Sequence, residues 1–319
     1  MKLSSLEPAD LRALDEALRR GEPCELELGT RLPAGVRADQ LLPLFDAVAA
    51  RNRSLQNSLR ELLPAPPRRS AARVTAVIPT NRGTPIGLSA LRAQDCQVDV
   101  LVLTNGGASA EGDRVVEVPW RGHGPTRQEG AAMASGDYVL FTVDDALPRG
   151  ASCVRTLVEA LEEGGYDAVF GRQLPWPTAD PITAERLAAW TPVGHGHRLV
   201  EQHDHVFALY RRETLLRCPL PEVPIGEDLV WRQGRRIGYV PGAMVVHSHP
   251  RSPRALYRRT RDIHRQHIAL GEPPRIPSFS ALIRALPGTL RPVLRAGAGE
   301  LPNQLAELLG QWRAGRSRA

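Results

Sequence analysis

Short runs of β-branched and other apolar residues alternate with helical stretches from residue 72 onward. We predict strands at residues 74–79, 98–103, 114–118, 138–143 and 167–170, and another that begins at Tyr239. Helices are predicted to begin at Pro85 and beside Pro125, because a proline at a first helical position has no N–H to satisfy. Strands that alternate with helices indicate βαβ units. The predicted fold class is therefore α/β, with an open, mainly parallel sheet flanked by helices.

Residues 1–70 are predicted to form a helical N-terminal extension and a linker. Asp10 can cap a helix that reaches Arg20, and Asp39 can cap a longer one that reaches Leu63. Apolar residues of the longer helix recur every three, four or seven positions and so share one face. That face needs a partner, which is either the catalytic domain or a second subunit of a homo-oligomer. Proline-rich residues 64–70 then form the linker.

The net charge of +6 is unevenly distributed along the chain. From Pro250 to Ala319 there are 13 arginines and 4 acidic residues, a net charge of +9, which leaves −3 for the rest. We therefore assign residues 71–250 to a catalytic domain and residues 251–319 to a basic helical C-terminal extension. Leucine, isoleucine and tryptophan mixed with arginine are typical of an interfacial helix, which predicts peripheral membrane contact. A solvated basic helix is the alternative, and we expect no nucleic-acid partner.

The cellular compartment is predicted from features that the sequence lacks. The four cysteines lie far apart, so neither a disulfide framework nor a zinc site is predicted. No apolar run approaches the roughly 20 residues that span a bilayer, and the first residues lack the apolar core of a signal peptide. We expect a cytoplasmic protein, in peripheral contact with the inner face of the membrane where the C-terminal extension binds it.

Two adjacent carboxylates, Asp144 and Asp145, directly follow the strand predicted at residues 138–143. Neighbouring like charges repel unless a cation or a hydrogen-bond network offsets them. Hard divalent ions such as Mn²⁺ or Mg²⁺ prefer oxygen ligands and can neutralise a diphosphate leaving group. The pair therefore indicates a metal site, with a solvated turn as the alternative.

Other polar clusters follow strands or begin helices, where ligands of open α/β sheets bind. The loop after the first strand contains Pro79, Thr80, Asn81 and Arg82, and its free backbone N–H groups suit a phosphate or a ribose.

Glu227 and Asp228 follow a glycine at a predicted helix start, where the helix dipole favours carboxylates. They are either helix caps or the source of a general base. His247 and His249 are two positions apart at the end of a strand, so both imidazoles lie on one side. They are either ligands for a metal or a phosphate, or one core and one surface histidine.

These motifs, taken as an ordered set over about residues 73–270, resemble the family 2 glycosyltransferases of the GT-A fold. Arg127-Gln128-Glu129-Gly130 stands where the family has a helix beside the donor diphosphate. Asp144-Asp145 looks like the family's metal motif, and Glu227-Asp228 looks like the acidic pair whose aspartate is the base in inverting members. The resemblance implies a Rossmann-like mixed sheet and transfer of a sugar from a nucleotide-diphosphate donor to a glycan or lipid-linked acceptor.

The residues and the resemblance together give a set of expected roles. We assign Asp228 and Glu227 to catalysis; Pro79, Thr80, Asn81, Arg82, Asn105, Arg127 and Asp144 to the donor; Asp145, His247 and His249 to Mn²⁺ or Mg²⁺; and Arg172, Trp176 and Trp231 to the acceptor. Residues 170–175, 207–212 and 246–249 are most similar to rhamnosyltransferase-type members. That similarity implies a dTDP-linked deoxysugar and a role in polysaccharide or cell-wall biosynthesis.

The sequence also departs from the family pattern. Asn105 lies in the region where the family usually has an acidic residue that contacts the base, and Val143 and Gln128 replace other common residues. Two alternative functions are a sugar nucleotidyltransferase and a non-catalytic, transferase-like scaffold that binds anionic lipid or nucleic acid. The first has weak support from Arg82-Gly83-Thr84-Pro85, but the glycine-rich run and the lysine expected around that loop are missing.

Overall fold

The computed structural model describes residues 70–249, 252–289, 292–294 and 297–316. The helices predicted at residues 10–20 and 39–63, and most of the linker, lie outside the described residues. Their partner and the predicted domain boundaries therefore stay predictions.

Within these ranges, nine strands form one sheet. They are β1 (Ser70–Thr80), β2 (Cys96–Thr104), β3 (Arg114–Glu117), β4 (Tyr138–Thr142), β5 (Leu147–Arg149), β6 (Ala168–Leu174), β7 (Arg198–Val200), β8 (Phe207–Arg211) and β9 (Ile237–Val246). Their order is β3-β2-β1-β4-β8-β6-β9-β5, and β7 also pairs with β9. Strands β3, β2, β1, β4, β6 and β9 run in the same direction. The predicted mixed, mainly parallel sheet is confirmed.

The three strands that run the other way, β5, β7 and β8, were not predicted. Strand β8 lies between β4 and β6 and is antiparallel to both. Four of its five residues are buried in succession, so it has no polar alternation to mark it as a strand. Strands β5 and β7 have only three residues each, too few to give a pattern. The last predicted strand ends at Val246, so the two histidines follow it.

Helices cover both faces of the sheet. They are α1 (Leu88–Arg92), α2 (His123–Met133), α3 (Cys153–Gly164), α4 (Pro181–Trp190), α5 (Arg212–Arg217) and α6 (Glu227–Trp231). The prediction that a helix begins at Pro85 was wrong, because α1 begins at Leu88. The backbone N–H of Ile86 donates instead to the carbonyl of Asp144, 2.9 Å away, and this bond ties the loop to the end of β4.

The core lies in two layers because successive residues of β1 point to opposite faces. Ile78 packs on one face with α3 residues such as Leu157. Val77 packs on the other face with Ala131 of α2. Packing in both layers holds the helices against the strands. This packing positions the loops at the carboxyl ends of the strands.

The described part of the C-terminal extension is helical. It contains α7 (Pro253–Ala269), α8 (Phe279–Ala285) and α9 (Leu301–Gly315). Helices α7 and α9 pack closely, since a Cβ at Gly310 would lie 2.8 Å from the carbonyl oxygen of Tyr257. Among the described residues, no helix has both the length and the apolar character needed to cross a membrane.

We expect Gly130→Ala to destabilise the fold, because α2 touches the sheet at this glycine. A Cβ there would lie 2.3 Å from Cγ1 of Val77 and 2.9 Å from Cδ1 of Leu103, both fully buried. The clash outweighs the gain in helix propensity, and we expect a loss of about 2 kcal/mol in the free energy of unfolding. Urea titration measures it. Gly288→Ala is the control, because nothing lies within 4 Å of its Cβ; equal losses would refute the packing argument.

Candidate functional site

The carboxyl ends of β1 and β4 meet at Asp144. Its Oδ2 accepts a hydrogen bond of 2.7 Å from the Thr80 hydroxyl and one of 2.9 Å from Nε of Arg82. The same guanidinium lies 3.1 Å from Oδ2 of Asp145. Arg82 therefore offsets the charge of both carboxylates. Thr80 is buried and orients Asp144, so its predicted donor contact stays untested.

Asp145 meets His247 and His249 at the edge of the sheet. Pairing of Leu147 with Val246 brings the two segments together, because β5 and β9 are antiparallel neighbours. Oδ1 of Asp145 lies 3.6 Å from Nε2 of His247, and its Oδ2 lies 3.3 Å from Nδ1 of His249. One ligand atom from each residue lies within 4.8 Å of the others. One carboxylate and two imidazoles form a donor set that fits a divalent transition metal such as Mn²⁺.

Gln173 holds His247 in the form that can bind a metal. Its Oε1 lies 3.0 Å from Nδ1 of His247, and a carbonyl oxygen can only accept, so Nδ1 carries the hydrogen. The Nε2 lone pair then faces the cluster. Burial, followed by the charge of His249, lowers the pKa of His247 to about 4, so the ring is neutral at pH 7. Gln173 Nε2 in turn donates to Asp204 at 2.9 Å.

Glu227 is the buried member of the acidic pair. Its Oε1 lies 2.8 Å from Arg127 and 3.0 Å from Nδ1 of His205. Burial opposes its ionisation, but the hydrogen bond to His205 and the charge of Arg127 outweigh burial and lower the pKa of Glu227. This carboxylate is buried and its Oε1 is engaged with both partners, so Glu227 holds Arg127 and His205 in place, and its predicted catalytic role stays a prediction. Arg127, with 6% exposure, is likewise directed at Glu227.

A buried relay supports Glu227 from the side of β8. The hydroxyl of Tyr210 lies between Nε2 of His203 and Nε2 of His205. Desolvation lowers the pKa of His203 strongly, so this ring is neutral. A consistent arrangement has His203 donating to Tyr210, Tyr210 donating to His205, and His205 donating to Glu227. The members of the relay belong to no sequence motif, so the sequence alone did not indicate it.

Asp228 has a different environment from its neighbour. Its side chain is half-buried, and its Oδ1 accepts a hydrogen bond of 2.7 Å from the N–H of Leu229. Burial raises the pKa of Asp228, and the adjacent Glu227 carboxylate raises it further. A carboxylate with a raised pKa is a stronger base, which suits proton abstraction from a hydroxyl.

The segment between β7 and β8 links the two clusters. Asp204 accepts hydrogen bonds from Gln173, which holds His247, and from the backbone of Val206 at 3.0 Å. His205, the next residue, contacts Glu227. The cluster of Asp145, His247 and His249 is therefore connected to the acidic pair through the side chains of Asp204 and His205. Convergence of Asp144, Asp145 and Asp228 on one cation stays a prediction.

Two predicted acceptor contacts were wrong. Trp176 is 3% exposed and packs in an apolar cluster with Leu174 and Val246. Trp231 is 2% exposed, and its indole N–H donates to the carbonyl of Cys218 at 2.8 Å. Neither ring has a face free for a sugar. By contrast, Trp190 is 41% exposed and donates to Asp204.

The remaining predicted residues lie at the carboxyl ends of the strands or close to them. Asn105 ties β2 to β1, because its backbone N–H and its side-chain amide both donate to the carbonyl of Thr80, at 3.2 and 3.3 Å. Asn81 is exposed, while Pro79 and Arg172 are partly buried. Their contacts with a donor or an acceptor stay predictions.

Comparisons with known proteins agree with this architecture. The mannosyltransferase PcManGT of Pyrobaculum calidifontis, solved with GDP-Man and Mn²⁺, has a similar fold with a TM-score of 0.54. The similarity covers 97% of this chain and 100% of that one, at 17% sequence identity. The fold is therefore that of the GT-A glycosyltransferases.

Sequence comparisons match part of the chain to a glycosyltransferase family. The model for glycosyl transferase family 2 matches residues 108–215. O-antigen chain rhamnosyltransferase RfbN of Salmonella typhimurium is 25% identical over 219 residues, which cover 59% of this chain and 70% of that protein. WbaN of Salmonella anatum, also an O-antigen chain rhamnosyltransferase, is 28% identical over 157 residues, which cover 43% of this chain and 49% of WbaN. Part of the chain therefore matches the family 2 glycosyltransferases, and the chain is similar in sequence to two rhamnosyltransferases.

We expect Gln173→Leu to weaken Mn²⁺ binding by about tenfold, because residues that orient a metal-binding histidine typically contribute this much. Isothermal titration calorimetry at pH 7 measures the dissociation constant. Gln202→Leu is the matched control, since Gln202 contacts the carbonyl of Trp190 instead. Equal Mn²⁺ affinity in Gln173→Leu and Gln202→Leu would contradict the orienting role.

Proposed function

We propose that this enzyme transfers rhamnose or another hexose from a nucleoside-diphosphate donor to a glycan or lipid-linked acceptor, with inversion at the anomeric carbon. The observation that carries the proposal is the cluster of Asp145, His247 and His249, connected through residues 204 and 205 to the acidic pair. An ion-binding group and a basic carboxylate are the two components that such a transfer needs.

The first component concerns the donor. Asp145, His247 and His249 would hold a divalent ion, which when bound supplies positive charge to the departing diphosphate. Two imidazoles beside one carboxylate favour Mn²⁺ over Mg²⁺, which prefers an all-oxygen shell. The mannosyltransferase of similar fold was solved with GDP-Man and Mn²⁺, which supports this choice. Asp144, fixed by Thr80, is suited to accept hydrogen bonds from the donor ribose.

The second component acts on the acceptor. Asp228 takes the proton from an acceptor hydroxyl, and the hydroxyl oxygen forms its bond to the anomeric carbon. The bond from that carbon to the diphosphate breaks on the opposite face, so the configuration inverts. The Arg127–Glu227 pair fixes the first turn of α6, which carries Asp228. Similarity to the O-antigen rhamnosyltransferases supports rhamnose and polysaccharide biosynthesis.

We expect Asp228→Asn to lower sugar transfer by at least about 100-fold, because removal of a general base typically has effects of this size. Donor-dependent release of nucleoside diphosphate measures the rate, and Mn²⁺ affinity should stay unchanged. Asp145→Asn should instead weaken Mn²⁺ binding and abolish transfer. Asp137→Asn is the control, because Asp137 is exposed and paired with Arg73.

The same experiment separates the alternatives. A sugar nucleotidyltransferase would consume a nucleoside triphosphate and a sugar phosphate, whereas a scaffold would show no turnover in any variant. Full transfer by Asp228→Asn would refute the assigned base.

We also propose that the C-terminal extension contacts an anionic membrane surface. Phe279 and Ile283 are 60% and 49% exposed on α8, four positions apart and hence on one face. Trp312 lies beside Phe279, with ring centroids 6.3 Å apart, and the guanidinium of Arg316 lies 5.0 Å from the Trp312 ring. Exposed Arg284 adds positive charge. Aromatic and aliphatic side chains bordered by arginine are typical of interfacial contact with anionic lipid.

We expect the chain to float with vesicles that contain anionic phosphatidylglycerol and to remain in solution with neutral phosphatidylcholine vesicles. Replacement of Phe279 and Ile283 together by serine should abolish flotation. The double substitution of Val193 and Leu199 by serine is the matched control, because those side chains are 71% and 56% exposed on the catalytic domain. A chain that stays in solution with both kinds of vesicle would refute membrane contact.

A further inference from the structure

Helix α7 follows the histidines in the chain and contacts the segment that precedes the acidic pair. Only residues 250–252 separate His249 from Pro253, the first residue of the helix. Farther along, Cγ of Gln266 and Cδ1 of Ile263 lie 3.4 and 3.7 Å from where a Cβ on Gly226 would be. Gly226 precedes the turn of α6 that carries the acidic pair. The helix therefore begins four residues after His249 in the chain and packs against the turn that holds Asp228.

Arg259 lies on the face of α7 that is directed at the site. With 3.6 residues per turn, Arg259, Ile263 and Gln266 share one face, since they are separated by four and three positions. A different face, which includes Tyr257 and Thr260, packs against Gly310 of α9. Arg259 comes one turn before the contact with Gly226. It therefore lies between that contact and the end of the helix that follows His249.

The surroundings of Arg259 show what it is close to. Its charge helps to lower the pKa of His123, after desolvation and the charges of Arg127 and His205. The guanidinium is thus in electrostatic range of the first turn of α2, which also carries Arg127. Its side chain is exposed, and the ion pairs within the described residues do not include it.

We propose that Arg259 is a diphosphate-binding residue of the catalytic site, supplied by the C-terminal extension. The inference rests on the proposed function and adds a residue that sequence analysis did not assign. A bound divalent ion and a nearby guanidinium repel each other unless a polyanion lies between them. A diphosphate meets that need, because its oxygens accept from the ion and from the planar fork of arginine together. The diphosphate belongs to the nucleotide donor or to a lipid-linked acceptor.

Titration with dTDP, UDP and GDP in the presence of Mn²⁺ tests the proposal on the full chain. Arg259→Ala should bind the preferred nucleoside diphosphate about tenfold more weakly than wild type, the order expected for the loss of one charge-assisted contact. Arg259→Lys should recover part of the affinity. Arg258→Ala is the matched control, because it removes the same charge from the next position, which faces about 100° away.

The source of the diphosphate follows from a second titration. If Arg259→Ala leaves nucleoside-diphosphate binding unchanged, inorganic pyrophosphate is added to the protein saturated with nucleotide. Weaker pyrophosphate binding by Arg259→Ala alone assigns the residue to the acceptor diphosphate. Equal behaviour of Arg259→Ala and Arg258→Ala in both titrations overturns the proposal. Failure of the wild-type protein to bind any nucleoside diphosphate would overturn the proposed function itself, and the inference with it.

Discussion

Carboxylates crowd the carboxyl end of this sheet, and the site depends on how each negative charge is balanced. Arg82 lies against Asp144, and the buried Arg127 pairs with Glu227. Asp145 faces two imidazoles, of which His247 is neutral. Asp228 has no arginine against it in the described residues, and its pKa is raised. Asp144 and Glu227 each accept a hydrogen bond from an arginine, and Arg82 also lies 3.1 Å from Oδ2 of Asp145. Asp145 also faces the two imidazoles with which it could bind an ion, and Asp228, with its raised pKa, is suited to take a proton.

Strands β5 and β8 bring these groups together from distant parts of the chain. Pairing of β5 with the end of β9 brings Asp145 beside His247, about 100 residues later in the sequence. Pairing of β8 with β4 places the segment before it, which contains Asp204 and His205, across the carboxyl end of the sheet. Parallel βαβ units alone would have left the histidines and the acidic pair without this connection. The mixed character of the sheet is therefore part of the site.

The sequence indicated the parallel strands and the residues that follow them, because both leave local signals. It could not indicate Gln173 or His205, since their roles come from partners 74 and 22 residues away. Trp176 and Trp231 were misassigned for a related reason: tryptophan suits a sugar face and an apolar core equally well, and only packing decides between them. The relay around Tyr210 is likewise invisible in the sequence, because it depends on the register of β8.

The uneven distribution of charge now has a structural interpretation. Residues before Pro250 carry a net charge of −3, and the acidic residues among them include those that would hold an ion and act as a base. A polyanionic diphosphate approaches such a surface favourably only where positive charge is supplied from elsewhere. Arg82 and Arg127 are already engaged with carboxylates. Helix α7 comes from the segment with a net charge of +9, and its face towards the site carries Arg259. Under the proposed role of Arg259, the basic extension would supply positive charge to the acidic part of the chain, and the opposite charges of these two successive parts would act at one site.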